Sequence, residues 1–155
     1  DGFANATEAL TGKAIGRKSP PMLRKALSLT AFWSVLMAAL FSLTYLLFGE
    51  WIIRLLTGID AVIEYAGIHL VWVIIAPLIA VWSYLLDGLF VGATRSREMR
   101  NTMLFSALCC YLPAFYLLQP FGNHGLWAAL LIFLAARGLS QSLYISGIMR
   151  LADPN

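Results

Sequence analysis

Charge is what this sequence has least of. Only 12% of its 155 residues are Asp, Glu, Lys or Arg, about half of the ~25% usual in a soluble domain. Hydrophobic residues make up 60%. The formal net charge of +3 does not indicate a nucleic-acid partner, because the basic residues gather at the ends of apolar runs. Cysteine is almost as scarce. Cys109 and Cys110 stand side by side in an apolar run, a pattern that neither builds a disulfide framework nor spaces metal ligands. The chain also lacks an HExxH pair, a CxxC pair, a P-loop, a GxSxG elbow and a GxGxxG fingerprint. No metal or organic cofactor is therefore expected, and an intramembrane enzyme is the least expected class. A basic-then-apolar leader is missing too, and the first residue is Asp1; we read the chain as starting partway along a helix.

The rest is laid out in four long apolar stretches, 27–48, 65–93, 103–119 and 125–149. As helices rising ~1.5 Å per residue, these are long enough to cross ~30 Å of hydrocarbon. The expected fold is all-α, a polytopic bundle of transmembrane helices in a single membrane domain, with the lipid bilayer as its partner. Residues 1–16, Ala-rich and stopped at Gly16, form the second half of a fifth helix. The connections alternate in charge. The first holds Lys13, Arg17, Lys18, Arg24 and Lys25; the second holds Glu50, Asp60 and Glu64 against Arg54. The third holds Arg95, Arg97 and Arg100 against Glu98; the fourth, 119–124, has at most His124; Arg150 follows the last stretch. Short cytoplasmic loops are enriched in Lys and Arg. A multi-pass protein of the bacterial inner membrane with a cytoplasmic C-terminus is expected. Trp51 and Trp127 sit at the outer ends, and residues 51–59 read as a short interfacial helix. Pro77 and Pro113 fall inside spans, as packing kinks or as hinges.

Ionisable residues inside a bilayer are costly and face a cavity or a partner. Here they are Asp1, Glu8, Asp87 and Arg137. Counting inward from the basic ends places Asp87 and Glu8 on the order of 10 Å deep, and Arg137 and Asp1 nearer the midplane. This predicts Asp1 paired with Arg137, and Asp87 beside Glu8. Arg137 reads as a structural ion pair; Asp87 reads either as a local pair or as a titrating group on a substrate or ion route. Asn5, Thr7 and Thr11 line the first helix. Tyr84, Ser83, Tyr111, Tyr116, Gln141 and Ser142 face a cavity or hydrogen-bond between helices. His69 and His124 read as separate solvated or interfacial residues. Gly88 and Gly92, four apart, form a small-residue contact face.

The segments DGFANATEALTGKAIGRKSP, WSYLLDGLFVGATRSREMRN and GNHGLWAAL…RGLS, taken together and in order, resemble the multidrug and toxic compound extrusion (MATE) transporters, and their DinF-like branch in particular. The resemblance covers essentially the whole chain. It implies two lobes of six helices, of which this chain would form most of the C-terminal one. It also implies export of amphipathic or cationic small molecules in exchange for H+ or Na+. A C-lobe cation site in some relatives includes an acid on the helix corresponding to that of Asp87, about one turn away. The N-terminal lobe, a partner in the same polypeptide, would lie outside this sequence. Two alternatives stand beside an efflux antiporter. A lipid-linked oligosaccharide flippase would want a strongly basic cavity, and only Arg137 is available. A non-transporting membrane scaffold would use the interior acids structurally.

Overall fold

A computed structural model describes residues 2–153. Its helices are α1 (Gly2–Gly16), α2 (Pro20–Leu56), α3 (Asp60–Gly92), α4 (Ser96–Phe105), α5 (Leu112–Leu118), α6 (Asn123–Ser142) and α7 (Ile145–Met149). A π-helical stretch, Ser106–Tyr111, joins α4 to α5, and there are no strands among the described residues. Four helical stretches are long and apolar enough to cross a membrane: Pro20–Leu56, Asp60–Gly92, Ser96–Phe121 and Asn123–Ser142. The protein is an all-α, multi-pass membrane bundle.

The helices run further than the apolar stretches predicted, because polar residues at helix ends add turns without adding hydropathy. The 51–59 segment is not a separate helix: α2 continues unbroken to Leu56, and the chain turns only at Thr57, whose N–H bonds the Ile53 carbonyl. In the other direction the last stretch is shorter than 125–149. The α6 helix ends at Ser142, and a turn at Leu143 and Tyr144 separates it from α7.

The packing follows residue size. The buried face of α2 runs from Leu23 to Gly49, and between them Ala26, Thr30, Ser34, Ala38 and Ser42 are small residues at every fourth position, which let backbones approach closely where lipid offers no hydrophobic drive to associate. Thr30 returns its hydroxyl hydrogen to the Ala26 carbonyl at 2.9 Å. The large side chains of α2, such as Phe32, Trp33, Leu46, Leu47 and Phe48, are exposed. That inside-out arrangement is what a lipid-facing surface requires.

The helix α3 is the hub, touching α1, α2, α4 and α6. Its Gly88 lies against the backbone of Ala4, and its Gly92 against the Glu8 carbonyl and the Thr11 side chain, so the expected glycine face is real and it receives α1. The helices α1 and α3 end in the same way. Ser19 N–H bonds Ala14 O and Lys18 N–H bonds Ile15 O; Arg95 N–H bonds Phe90 O and Thr94 N–H bonds Val91 O. These are Schellman closures, with Lys18 (φ 49) and Thr94 (φ 56) in the left-handed region. Arg17, Lys18 and Arg95 thereby stand at helix C-termini, where a positive charge is favoured. The main apolar core, including Leu23, Leu89, Phe90 and Ile148, sits at this basic end.

Pro113 follows the π-helical stretch directly. A proline there lacks an N–H and presses its ring on the carbonyl of Cys109, four residues back. The wider turn gives the ring room, with Leu112 N–H bonding Ala107 O five residues away. Pro77, by contrast, lies inside an uninterrupted α3.

Gly122 starts α6 at φ 58, ψ −131, a mirror-β conformation open to glycine and closed to residues with a Cβ. Gly122→Ala is expected to lower stability by about 1–3 kcal/mol, measured as thermal unfolding in detergent. No other atom lies within 4 Å of a Cβ built there, so any loss reports backbone strain alone.

Candidate functional site

The helices α3 and α6 lie side by side and parallel, in contact along most of α6. Near one end His124 meets His69; midway Gly138 meets Trp82 and Ser83; toward the basic end Arg137 and Gln141 meet Asp87. The last of these is the candidate site. Arg137 and Gln141 are four apart on α6, hence on one face of it. Gly138, between them, lets α6 approach α3 at ordinary van der Waals distance.

Both oxygens of Asp87 are engaged. Arg137 Nη2 donates to Oδ2 and forms the ion pair, and Gln141 Nε2 donates to Oδ1 at 2.8 Å. The Asp87 side chain is 15% exposed and that of Arg137 9%; Gln141 is fully buried. A carboxylate held by two donors and screened from solvent is a stable charge only while the guanidinium stays. Two polar atoms, Arg137 Nε and Gln141 Oε1, are buried with no hydrogen-bond partner among the described residues.

The structure brings together two of the sequence-predicted residues and separates others. Arg137 pairs with Asp87; Asp1, its expected partner, lies outside the described residues. The depth count misplaced Arg137 because it assumed a continuous helix to Arg150; α6 stops after Ser142, so Arg137 is about one turn from a helix end and level with Asp87. Glu8 is not beside Asp87. Its side chain is exposed, and its backbone carbonyl lies against α3 at Gly92. Asn5 is likewise exposed, whereas Thr7 and Thr11 are buried. Tyr84 and Pro77 border a groove of about 550 Å³ between α1, α2 and α3, together with Phe3, Ser34, Met37 and Phe41. That groove is apolar except for a few hydroxyls. Pro113 lies on α5, away from both features.

Sequence reasoning placed Gln141 among many weak polar candidates, and its i, i+4 relation to Arg137 was the signal that could have raised it. His69 and His124 were read as separate, yet their rings are stacked with centroids 4.4 Å apart. Both stand at the non-basic ends of parallel spans, which is the signal that could have joined them.

A bundle of long apolar helices packed through small residues, with an ion pair buried between two of its spans, defines a polytopic membrane protein. The particular family is shown by comparison. The MatE family profile matches residues 2–117, and the chain belongs to the MATE family. It is 46% identical over 140 residues to DNA damage-inducible protein F of Escherichia coli (strain K12), covering 90% of this chain. The chain spans 30% of that relative's length. No solved structure matches.

Proposed function

We propose that this chain is part of a secondary active efflux transporter that exports amphipathic or cationic small molecules in exchange for H+ or Na+. The observation that carries the proposal is the Asp87–Arg137–Gln141 group buried between spans of a MATE-family chain. The basic residues of three connections gather at one end of the bundle: Arg24 and Arg150 border one groove, and Arg95 lies beside Gly147. Enrichment of Lys and Arg in cytoplasmic loops supports a cytoplasmic location for that end in the bacterial inner membrane.

In this reading Asp87 is an exchangeable partner. Arg137 neutralises it when no cation is bound, and a proton or Na+ would compete with the guanidinium for the same oxygens. Freeing Arg137 leaves a buried charge unpaired, so cation binding and a shift of α6 against α3 are energetically linked. Pro77, inside α3, is the candidate bending point for such a shift. The Tyr84 groove, apolar with sparse hydroxyls, suits an amphipathic substrate, and a companion lobe would complete the pathway. A flippase for pyrophosphate-linked sugars is less well supported, because the single intramembrane arginine is already occupied by Asp87.

The test is efflux of a cationic dye from cells expressing Asp87→Asn, Asp87→Ala or the unsubstituted protein at matched membrane levels. Loss of efflux in both variants, with membrane insertion unchanged, is the expected result. Efflux at the unsubstituted rate in both would remove Asp87 from the coupling mechanism and favour a structural role.

A further inference from the structure

A second buried polar cluster lies at the opposite end of the same two helices, roughly 27 Å from Asp87 along α3 at ~1.5 Å per residue. His69 Nδ1 is 2.9 Å from the Tyr65 carbonyl. A carbonyl only accepts, so Nδ1 carries the hydrogen, and Nε2 of the neutral ring is a lone pair. That Nε2 is buried without a partner. No acceptor for a hydrogen at that position lies among the described residues.

His124 is built differently. Trp72 Nε1 is 2.8 Å from His124 Nδ1. Indole nitrogen only donates, so His124 Nδ1 must present a lone pair. The bond exists only while that nitrogen is unprotonated. His124 is also only half-buried. Its ring lies on that of His69 at 4.4 Å and 21°, and His69 in turn touches the Tyr65 ring at 4.6 Å. No group of three or more His, Cys, Asp or Glu side chains that could hold a metal ion is present among the described residues.

The other charged or titratable groups toward this end are Tyr45, Glu50 and Arg54 on α2, Asp60, Glu64 and Tyr65 on α3, and Tyr116 on α5. Glu50, Arg54, Asp60 and Glu64 border a groove of their own between α2 and α3. None of these side chains makes a hydrogen bond or ion pair to either imidazole among the described residues; α6 contributes only His124 here.

We infer that Trp72, His69 and His124 form a proton-released latch joining α3 to α6 at the end of the bundle away from Asp87. With His124 neutral, the indole bond and the ring stack hold the two helices together. With His124 protonated at Nδ1, two N–H groups face each other, the indole bond is lost, and the α6 start separates from α3. Acidification at this end of the bundle therefore opens the latch.

The test uses the protein in lipid nanodiscs with ¹⁵N-labelled tryptophan, following the indole N–H resonance of Trp72, assigned by its disappearance in Trp72→Phe. Between about pH 8 and pH 5 that resonance is expected to lose its hydrogen-bonded downfield shift. In His124→Gln the amide oxygen still accepts from the indole but does not titrate, so the shift is expected to persist at both pH values. In His69→Gln the pH response is expected to remain. A Trp72 resonance unchanged by acid in the unsubstituted protein would overturn the latch. So would an acid response surviving in His124→Gln or vanishing in His69→Gln.

Discussion

Arg137→Ala is expected to destabilise the bundle by about 3–5 kcal/mol, the cost of stripping one partner from a buried ion pair. The Asp87 carboxylate would keep only Gln141, whose 2.8 Å hydrogen bond offsets a fraction of the lost charge compensation. Asp87→Ala leaves the mirror problem, a guanidinium 8% exposed with no carboxylate to meet it. The double variant Asp87→Asn/Arg137→Gln removes both charges and retains hydrogen-bonding groups of similar size. Its stability is expected to exceed that of either single alanine variant. Unfolding midpoints in detergent give the coupling directly; losses that simply add would show that the two residues act independently. Transport separates structure from mechanism. A double variant that folds well yet exports nothing assigns the pair to coupling, whereas one that folds well and exports normally assigns it to architecture.

Gly88→Leu is the second substitution with a large expected effect. A Cβ at Gly88 overlaps the carbonyl of Ala4 and comes within 3.1 Å of its Cα. The obstacle is backbone, which has no rotamer to escape into, so α1 must leave α3. Gly88→Ala alone is expected to cost at least the roughly 1–3 kcal/mol typical of overpacking, and Gly88→Leu to abolish recovery of monodisperse protein in size-exclusion chromatography. Gly67→Ala is the control. It sits in the same helix with nothing within 4 Å of a built Cβ and is expected to be neutral or slightly stabilising. Equal behaviour of the Gly88 and Gly67 variants would mean that α1 does not dock on α3 as described.

Much of the architecture is legible in one dimension because a bilayer imposes a length. A run of roughly 20 apolar residues is forced into a helix, since any other backbone would leave polar groups unsatisfied in hydrocarbon. That constraint is local. It explains why the spans, the alternating charge of the connections and the Gly88–Gly92 face are all readable without coordinates. Boundaries are less so. Arg54 and Asp60 lower the local hydropathy without stopping the chain from turning, so α2 and α3 extend past the apolar runs. The break at Leu143–Tyr144 has no proline or glycine in it and left no mark on the pattern.

Which charges meet is a different kind of question. Depth counted along separate helices puts Asp87 beside Glu8 and Arg137 nearer the midplane. A one-turn error in where a helix ends moves a side chain by about 5.4 Å, more than the reach of an ion pair. Rotation matters as much. Glu8 lies at the level of Gly92 but its side chain points away, because Thr7, Thr11 and Ala14 are the residues of α1 that turn inward.

From its sequence alone, then, this protein is a set of lipid-spanning helices with basic residues at one end and a few ionisable groups inside, because hydropathy and helix rise act residue by residue. Only tertiary structure decided that Asp87 faces Arg137 and Gln141, and that His69 lies on His124. Those pairings depend on how α3 and α6 rotate and slide against each other, and that is set by small residues such as Gly138 at their contact, not by the polar residues themselves.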